Sequence, residues 1–463
     1  MVLNIENLGV VRQAKVDLSK KFILFCGRNS TGKTYVSYVL QAFLEQDGIY
    51  KLDCAKEIAE QIARSGTFKV EKSFITEWLA AKCNSVMSQV GSIFGISDIT
   101  GKKLFNKFNL GVEYTDEDYN NSLNTSIEAK AGNGQYVLRI VKPAGSDVVT
   151  VEGDTDFAAS ATSVSFQTMG LVCLILRNLA FCTPSGVRML TVERNSIYTF
   201  KTELSLSRNE LIDRIQQQSD KAEIDIFGMI NSSSRRYPQA VRSSLRVAND
   251  LENVQKYSSP YSNIADIIEK DLLKGEVSVT KNGDVEFHAQ NMSKTKRLPF
   301  HLSSSIVKTM ASFVVYLRHI ARKGDTLIID EPEMNFHPDV QVILARIFAM
   351  LTAKGLRVVV STHSDYIVRE LNNLIMAEAI HRNGQADFVK ELGYEDGMLL
   401  DYKDVSVLFF GYSSKNSVTV KPLPIDEAGF SVSTIDDTIN RQNEIAERLY
   451  DTLTGIEQGI GNE

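Results

Sequence analysis

The stretch that decides the fold begins at Phe22 and ends at Thr34, and it reads Phe22-Ile23-Leu24-Phe25-Cys26-Gly27-Arg28-Asn29-Ser30-Thr31-Gly32-Lys33-Thr34. Its first five residues form a continuous apolar run, which predicts a buried strand. The eight residues that follow match the pattern G-x-x-x-x-G-K-[ST]. A helix is expected next, to about Glu45, because Tyr35, Val39 and Phe43 fall on one helical face. This order of strand, glycine-rich loop and helix predicts a phosphate-binding P-loop.

Each residue of this loop has a place in phosphate binding. The glycines let the chain wrap a phosphate with its N–H groups pointing inward, and the helix N-terminus adds a positive dipole. Lys33 would reach the β- and γ-phosphates, and the Thr34 hydroxyl would bind Mg²⁺. We therefore predict ATP and Mg²⁺ as cofactors, a catalytic role for Lys33 and a metal-ligand role for Thr34. The predicted nucleotide-binding residues of the loop are Gly27, Arg28, Asn29, Ser30, Thr31, Gly32, Lys33 and Thr34.

A second segment, from Asp325 to Glu333, places acidic residues at the end of an apolar strand, where ligands of such sheets bind. Asp330 would hold Mg²⁺ through water, and Glu331 would polarise the attacking water. On its own, the segment is also compatible with a solvated acidic cap after a buried strand. Its occurrence together with the P-loop favours the catalytic interpretation.

A third strand, Leu356 to Val360, runs into Ser361-Thr362-His363-Ser364. A lone histidine is often a surface residue or a satisfied core residue. Here it follows the third of three strands that end in polar residues, so we predict that His363 contacts the γ-phosphate and senses its presence.

The composition is that of a folded, mildly acidic globular protein. The chain has 463 residues, a net charge of −6 and an apolar content of 43%, which excludes disorder as the main state. Five scattered cysteines without a C-x-x-C pair favour reduced thiols over disulfides or a zinc site. Since the sequence shows neither a secretory signal nor a spanning segment, we expect a cytoplasmic protein without membrane contact.

The order of these motifs resembles that in the ATPase heads of the ABC superfamily, with Leu302-Ser303-Ser304-Ser305 at the place of the signature segment. Transporter subunits typically continue from Asp-Glu-Pro into a Ser-Ala-Leu-Asp type sequence, whereas this chain continues with Glu333-Met334-Asn335-Phe336-His337-Pro338. That is similar to RecF, SMC and overcoming-lysogenization (OLD) ATPases. Together with Val192-Glu193-Arg194 and residues 362–368, it resembles the stand-alone AAA-type ATPases of prokaryotic phage-defence systems, including Septu-type and PARIS-type ATPases.

The fold class that follows is α/β: an ABC-type P-loop ATPase head with a mixed sheet, flanking helices and an antiparallel β-lobe. A helical insertion and a small C-terminal α+β region are expected in addition. The periodicity and the turn signals set the boundaries. They are 1–200 and 275–375 for the split head, 50–105 for its helical part, 108–155 for the β-lobe, 203–274 for the helical insertion or arm, and 376–463 for the C-terminal region.

The resemblance implies that Ser303, Ser304 and Ser305 contact the ATP held by a partner subunit, in a head-to-tail homodimer that could form higher oligomers. Hydroxyls and N–H groups at the start of a helix also make a plausible anion site in physical terms. An ordinary serine N-cap explains the same residues equally well, and serines stand where the common Leu-Ser-Gly-Gly form has glycines.

Two further roles stay open at the level of sequence. Gln61, Gln89 and Gln167 are all candidates for the family's Q-loop glutamine. Arg194 could contact the nucleotide or pair with Glu193, and the structural role is slightly favoured.

Three classes of ATPase compete. The first is a DNA-repair or recombination ATPase of the RecF or SMC type that binds DNA; a head of the Rad50 or SMC kind would need long heptad runs between the P-loop and the signature segment for a coiled-coil arm, and these are absent. A nuclease fusion like the full OLD proteins would need a Toprim domain, yet only 100 residues follow His363 and they contain no D-x-D pair. We therefore favour a sensor or regulatory subunit of an anti-phage system, which acts through a separate effector protein, with a nuclease suspected.

The remaining partners are a phage-derived trigger and DNA. A pI near 5.7 gives no overall electrostatic signature of nucleic-acid binding. Local basic groups do exist, although such runs are usually solvated: Arg235, Arg236, Arg242 and Arg246 in the predicted arm, and Lys294, Lys296 and Arg297 before the signature segment.

Overall fold

The computed structural model describes residues 1–45, 48–132, 137–153, 166–182, 186–201, 237–291, 297–414 and 416–460. Its strands are β1 (Val2–Leu8), β2 (Val11–Asp17), β3 (Phe22–Gly27), β4 (Thr67–Lys69), β5 (Asn109–Glu113), β6 (Ile127–Gly132), β7 (Val137–Lys142), β8 (Val148–Glu152), β9 (Val187–Leu190), β10 (Gly275–Val279), β11 (Val285–Ala289), β12 (Leu298–Pro299), β13 (Thr326–Asp330), β14 (Arg357–Thr362), β15 (Val405–Ser414) and β16 (Ser417–Pro422).

The helices lie on both sides of the main sheet, and π-helical turns at Ile268–Leu273 and Tyr316–Ile320 extend two of them. They are α1 (Lys33–Leu44), α2 (Cys54–Ser65), α3 (Lys72–Ser88), α4 (Val90–Phe94), α5 (Asp98–Leu104), α6 (Asp116–Asn124), α7 (Phe166–Phe181), α8 (Gln239–Asn249), α9 (Leu251–Val254), α10 (Ser262–Ile267), α11 (Ser305–Val315), α12 (Pro338–Ala353), α13 (Asp365–Arg382), α14 (Ala386–Glu391) and α15 (Ser433–Ile460).

A nine-stranded mixed sheet organises the molecule, in the order β5-β1-β2-β16-β15-β3-β14-β13-β9. The five strands from β15 to β9 in this order are parallel, so their carboxyl ends meet at one edge. β3, β13 and β14 are almost wholly buried and each carries an apolar run, as expected for strands covered on both faces. The predicted α/β class with a mixed sheet and flanking helices is confirmed.

The C-terminal strands differ from the sequence-based division. Residues 376–463 were expected to form a separate region, but β15 and β16 lie inside the main sheet, between β3 and β2. Val405, Val407 and Phe410 are buried there, and β15 pairs in parallel with β3 along its length. A boundary at 375 therefore cuts through a single sheet, because the apolar faces of β15 need β3 and the core around it as neighbours.

The β-lobe is an antiparallel sheet in the order β4-β8-β7-β6. The expected strands at 108–155 do not all join it, because β5 pairs instead with β1 at the edge of the main sheet. Between β5 and β6 the chain forms α6, which begins with a capping box at Thr115 and Asp118.

Part of the predicted arm packs onto the head. Arg242 donates to the carbonyl of Ser92 at 3.0 Å, Arg188 donates to the carbonyl of Ser243 at 3.2 Å, and Leu251 is fully buried. Residues 237–273 are therefore part of the compact body. The predicted arm's remaining residues, with Arg235 and Arg236, lie outside the described residues, as do Lys294 and Lys296.

All five cysteines are free thiols. Among the helices that the structure describes, none combines the length and the apolarity needed to cross a bilayer.

Candidate ATP site

The carboxyl ends of β3, β13 and β14 bring the three sequence motifs to one edge of the sheet. In the parallel register, Asp330 lies opposite Ser361, and Thr362 lies opposite Cys26, which directly precedes the P-loop. The strand ends therefore place the P-loop, the acidic segment and the histidine segment side by side, as the sequence analysis expects.

The P-loop packs closely against residues of β15 and of β2. Gly27 has φ 138°, and a Cβ added there would lie 2.5 Å from the carbonyl oxygen of Phe410 in β15. Gly32 has φ 91°, and a Cβ there would lie 2.5 Å from a methyl group of Val11 in β2. Both positions therefore require glycine, on grounds of backbone conformation and of space.

Lys33 lies folded over this loop. Its Nζ donates to the carbonyls of Gly27 at 2.9 Å and Arg28 at 3.0 Å. Burial lowers the pKa of Lys33, while the nearby carboxylates of Glu331, Asp330 and Glu333 oppose that shift. A phosphate would offer this buried ammonium stronger, charged acceptors than the two carbonyls.

Asp330 links the three motifs. Its Oδ2 accepts from the Thr34 hydroxyl at 2.7 Å, and its Oδ1 accepts from the Ser361 hydroxyl. Burial raises the pKa of Asp330, and these two hydrogen bonds oppose the shift. A hydroxyl and a carboxylate oxygen held together beside a P-loop are the oxygen donors that Mg²⁺ prefers, so Thr34 and Asp330 fit the predicted metal role.

Arg194 holds the backbone of the turn that follows β13. Its guanidinium donates to the carbonyls of Asp330 and Glu331, each at 2.7 Å, and to the carbonyl of Thr191 at 3.0 Å. Burial lowers its pKa to about 10, so it stays charged at neutral pH. The role is structural, as favoured from the sequence, but the partners are backbone carbonyls rather than the Glu193 side chain.

Glu331 occupies a backbone conformation that is rare for a residue with a side chain. Its φ is 45°, and its N–H donates to the carbonyl of Ser361 at 3.0 Å. The left-handed turn leaves the carboxylate partly exposed, unlike that of Asp330. Strained conformations of this kind are frequent at functional residues, and this one presents an acid to an open site.

His363 and Glu331 both line a cavity of about 420 Å³. Its Nδ1 is 4.0 Å from Oε1 of Glu331 and 3.4 Å from Oε1 of the buried Glu333. The cavity is also lined by Asn335, Gln341 and Tyr366. An exposed acid and a histidine therefore line this cavity, whereas Lys33 and Thr34 are not among its lining residues.

Comparison with known families supports this assignment. Residues 1–368 match the AAA_15 family, described as an AAA ATPase domain. The chain belongs to this ATPase family. Among curated proteins, no sequence relative is found.

Solved structures similar to this ATPase include three SMC head domains. One SMC head, bound to the C-terminal winged-helix domain of ScpA, shares 8% identity over 92% of this chain and 98% of its own, with a TM-score of 0.36. A second, with an extended coiled coil and bound to a ScpA domain derived from Pyrococcus furiosus, has 10% identity over 96% and 98%, with a TM-score of 0.35. The head from Thermotoga maritima has 8% identity over 92% and 98%, with a TM-score of 0.31.

The serines of the expected signature segment lie at the start of α11. Ser304 is the N-cap of α11 and is exposed, as is Ser305, the first helical residue. Ser303 is buried, and its hydroxyl has no hydrogen-bond partner. Within the described part of the chain, none of the three side chains forms a hydrogen bond with the P-loop.

Residues that the sequence analysis did not single out also shape the site. Ser361 binds Asp330, Glu333 holds the histidine segment, and the Tyr412 hydroxyl donates to the carbonyl of Ser30 at 3.2 Å. The strand-end position of Ser361 and the acidic run around Glu333 were usable signals. Tyr412 had none, because its contact spans 382 residues.

Two of the three candidates for the Q-loop glutamine, Gln61 and Gln89, make local side-chain contacts. The side-chain oxygen of Gln61 accepts from the N–H of Lys69 at 3.1 Å, and Gln89 donates to the Ser85 hydroxyl at 2.9 Å. The side chain of Gln167 lies outside the described residues.

Proposed function

We propose that this ATPase is the sensor or regulatory subunit of an anti-phage defence system and controls a separate effector protein, with a nuclease as the expected effector. A phage-derived molecule would be the trigger. The observation that carries the proposal is the concentration of chemical groups at one ATP site, while Asp396, Asp401 and Asp404 of the C-terminal part lie in ion pairs.

The C-terminal acids illustrate that distribution. Asp401 pairs with Arg382 at 2.9 Å, and Asp404 pairs with Lys21 at 2.8 Å, next to the start of β3. Asp396 lies 3.5 Å from His381 and 3.7 Å from Lys390. These contacts support a structural use for acids that a nuclease centre would otherwise employ, so we place the nuclease chemistry in a second polypeptide.

At the site itself we propose Mg²⁺-ATP as the ligand. Gly27 to Thr34 would surround the phosphates, Lys33 would bind the β- and γ-phosphates, and Thr34 and Asp330 would hold the metal. When bound, the metal would neutralise charge on the phosphates. Glu331 would polarise the attacking water, and His363 would contact the γ-phosphate and report its presence.

We further propose a head-to-tail homodimer in which Ser303 to Ser305 of one subunit complete the site of the other. The exposed hydroxyls of Ser304 and Ser305 and the 64% exposed side chain of Leu302 support an interface at this place. Higher oligomers could be built from such dimers.

The test is a phage challenge of bacteria that carry this gene with its native neighbours. We expect protection with the wild-type gene, and its loss with Lys33→Ala and with Glu331→Gln at equal protein levels. If both variants protect fully, ATP has no part in the defence. If no phage is restricted but loss of the gene sensitises its native host to DNA damage, the repair alternative replaces the proposal.

A second test uses the purified chain alone, with plasmid, single-stranded DNA and tRNA, in Mg²⁺ or Mn²⁺, with and without ATP. We expect no cleavage. Cleavage that persists in Lys33→Ala and disappears in the variant Asp401→Ala with Asp404→Ala would place a nuclease in this chain. DNA binding is measured in parallel, and its dependence on salt reports the number of phosphate contacts.

A further inference from the structure

We propose that Glu333 is a positioning residue for ATP hydrolysis, which acts by holding His363 in place at the γ-phosphate end of the site. The inference rests on the proposed role of His363, and it assigns a role to a third carboxylate of the acidic segment. Asp330 and Glu331 face the predicted metal and water, whereas Glu333 faces the histidine segment.

A single oxygen of Glu333 makes all the contacts. Oε1 accepts from the backbone N–H of His363 at 2.9 Å and from the Thr362 hydroxyl, and it lies 3.4 Å from Nδ1 of the His363 ring. The first two bonds fix the backbone where β14 ends. The third contact places Nδ1 on the side of the carboxylates, so Nε2 is the ring nitrogen left to meet a phosphate.

Burial separates Glu333 from the role of a general base. Both residues line the cavity, but the side chain of Glu333 is 6% exposed, whereas that of Glu331 is 29% exposed. The Oε1 atom of Glu333 already accepts two hydrogen bonds, from the Thr362 hydroxyl and the His363 N–H, which oppose its taking a proton from water. Its geometry therefore suits orientation of a neighbour rather than proton transfer.

The second oxygen of Glu333 argues against a purely structural role. Oε2 is buried, and no group among the described residues donates a hydrogen bond to it. A buried carboxylate with one unsatisfied oxygen costs stability, and stable folds usually satisfy such groups. An apolar side chain would avoid this cost, so the contacts of Oε1 with Thr362 and His363 are the features that favour an acid here.

The test is a double-mutant cycle on steady-state ATP hydrolysis with Glu333→Gln, His363→Ala and the combined variant. We expect Glu333→Gln to lower kcat by about tenfold with KM within about twofold, because the lost interaction orients a group that acts in hydrolysis. The combined variant should hydrolyse ATP at the rate of His363→Ala within about twofold, because Glu333 acts through His363.

The matched control is Glu370→Gln, which alters another buried carboxylate. Glu370 is 4% exposed and pairs with Arg346 at 2.6 Å, and neither residue lines the cavity. It should lower thermal stability without a selective loss of kcat. Glu333→Ala serves as a second variant, and thermal melts check that each protein is folded.

Two results would overturn the inference. If the losses in the two single variants multiply in the combined variant, Glu333 acts independently of His363. If Glu333→Gln hydrolyses ATP at the wild-type rate, the contact has no part in positioning. Failure of the defence proposal would leave this cycle intact, because the cycle measures only hydrolysis by the purified chain.

Discussion

At the scale of single residues, the site depends on a small set of buried polar contacts between strand ends. Asp330 accepts hydrogen bonds from hydroxyls of two different motifs. Arg194 donates hydrogen bonds to the carbonyls of the turn that carries Glu331. Glu331 and Ser30 both have left-handed backbone conformations, with φ 45° and 61°. The fold therefore accepts local strain at the acid and at the top of the P-loop, where the ligand would be bound.

Substitution of Lys33 should mainly impair ATP binding, and substitution of Glu331 should mainly impair ATP hydrolysis. Lys33→Ala removes the cation buried against the loop, and we expect ATP binding to weaken by about 100-fold or more. Glu331→Gln keeps the size of the side chain and should bind ATP normally, with kcat lower by about 100-fold or more because the water is no longer activated.

Calorimetric titration with ATP and a phosphate-release assay measure the two effects on the same preparations. If Glu331→Gln hydrolyses ATP at the wild-type rate, the water-activating role is wrong. Tight ATP binding by Lys33→Ala would instead contradict the contact between Lys33 and the phosphates.

At the scale of elements, the sequence predicted what depends on local pattern. The P-loop strand and helix, the acidic strand and the histidine strand all appear near the expected bounds, because apolar runs and loop residues define them locally. The place of β15 and β16 could not be read in this way. Their neighbours β3 and β2 lie almost 400 residues earlier in the chain, and strand pairing over such distances leaves no mark in a local window.

The same limit applies to the site. Motif spacing predicted the residues that end β3, β13 and β14. It assigned no part to Tyr412, and it did not foresee the bonds of Arg194 to the carbonyls of Asp330 and Glu331, because both sets of contacts form only when the strands are placed side by side.

The β15–β16 hairpin should therefore influence nucleotide binding. Tyr412→Phe removes the hydroxyl that donates to the carbonyl of Ser30 at 3.2 Å and keeps the ring. Since Ser30 is strained, loss of this support should raise the ATP dissociation constant by about two- to tenfold, the range for one hydrogen bond.

Tyr450→Phe is the matched control, because it deletes a hydroxyl from a 67% exposed tyrosine on α15. It should leave the dissociation constant unchanged. Equal dissociation constants for wild type and both variants would mean that the hairpin does not support the loop.

At the scale of the whole molecule, the question is whether two heads make each active site. Ser304 and Ser305, at the start of α11, are exposed and make no bond to their own P-loop within the described residues. In a head-to-tail dimer with two-fold symmetry, each site would combine the P-loop of one subunit with the serines of the other. ATP would then lie inside the interface and should tighten the dimer, most clearly in Glu331→Gln.

The dimer can be tested by mixing two inactive variants. Ser304→Glu places a negative charge where the partner's phosphates would lie, and an acid at a helix N-terminus is favourable for the fold. A mixed dimer of Ser304→Glu with Lys33→Ala has one site in which both the P-loop and the serines are intact. Random mixing of equal amounts should therefore restore about one quarter of the wild-type rate.

Mixing Lys33→Ala with Glu331→Gln is the control, because both residues belong to the same half of a site and no mixed dimer contains an intact one. The ATPase rate is measured against the mixing ratio at constant total protein. Recovery only in the first mixture supports a site shared between subunits. If the first mixture only averages the two separate rates, while both proteins are folded and ATP still increases the mass of Glu331→Gln in solution, then the subunits associate without sharing serines, and α11 has only its ordinary capping role.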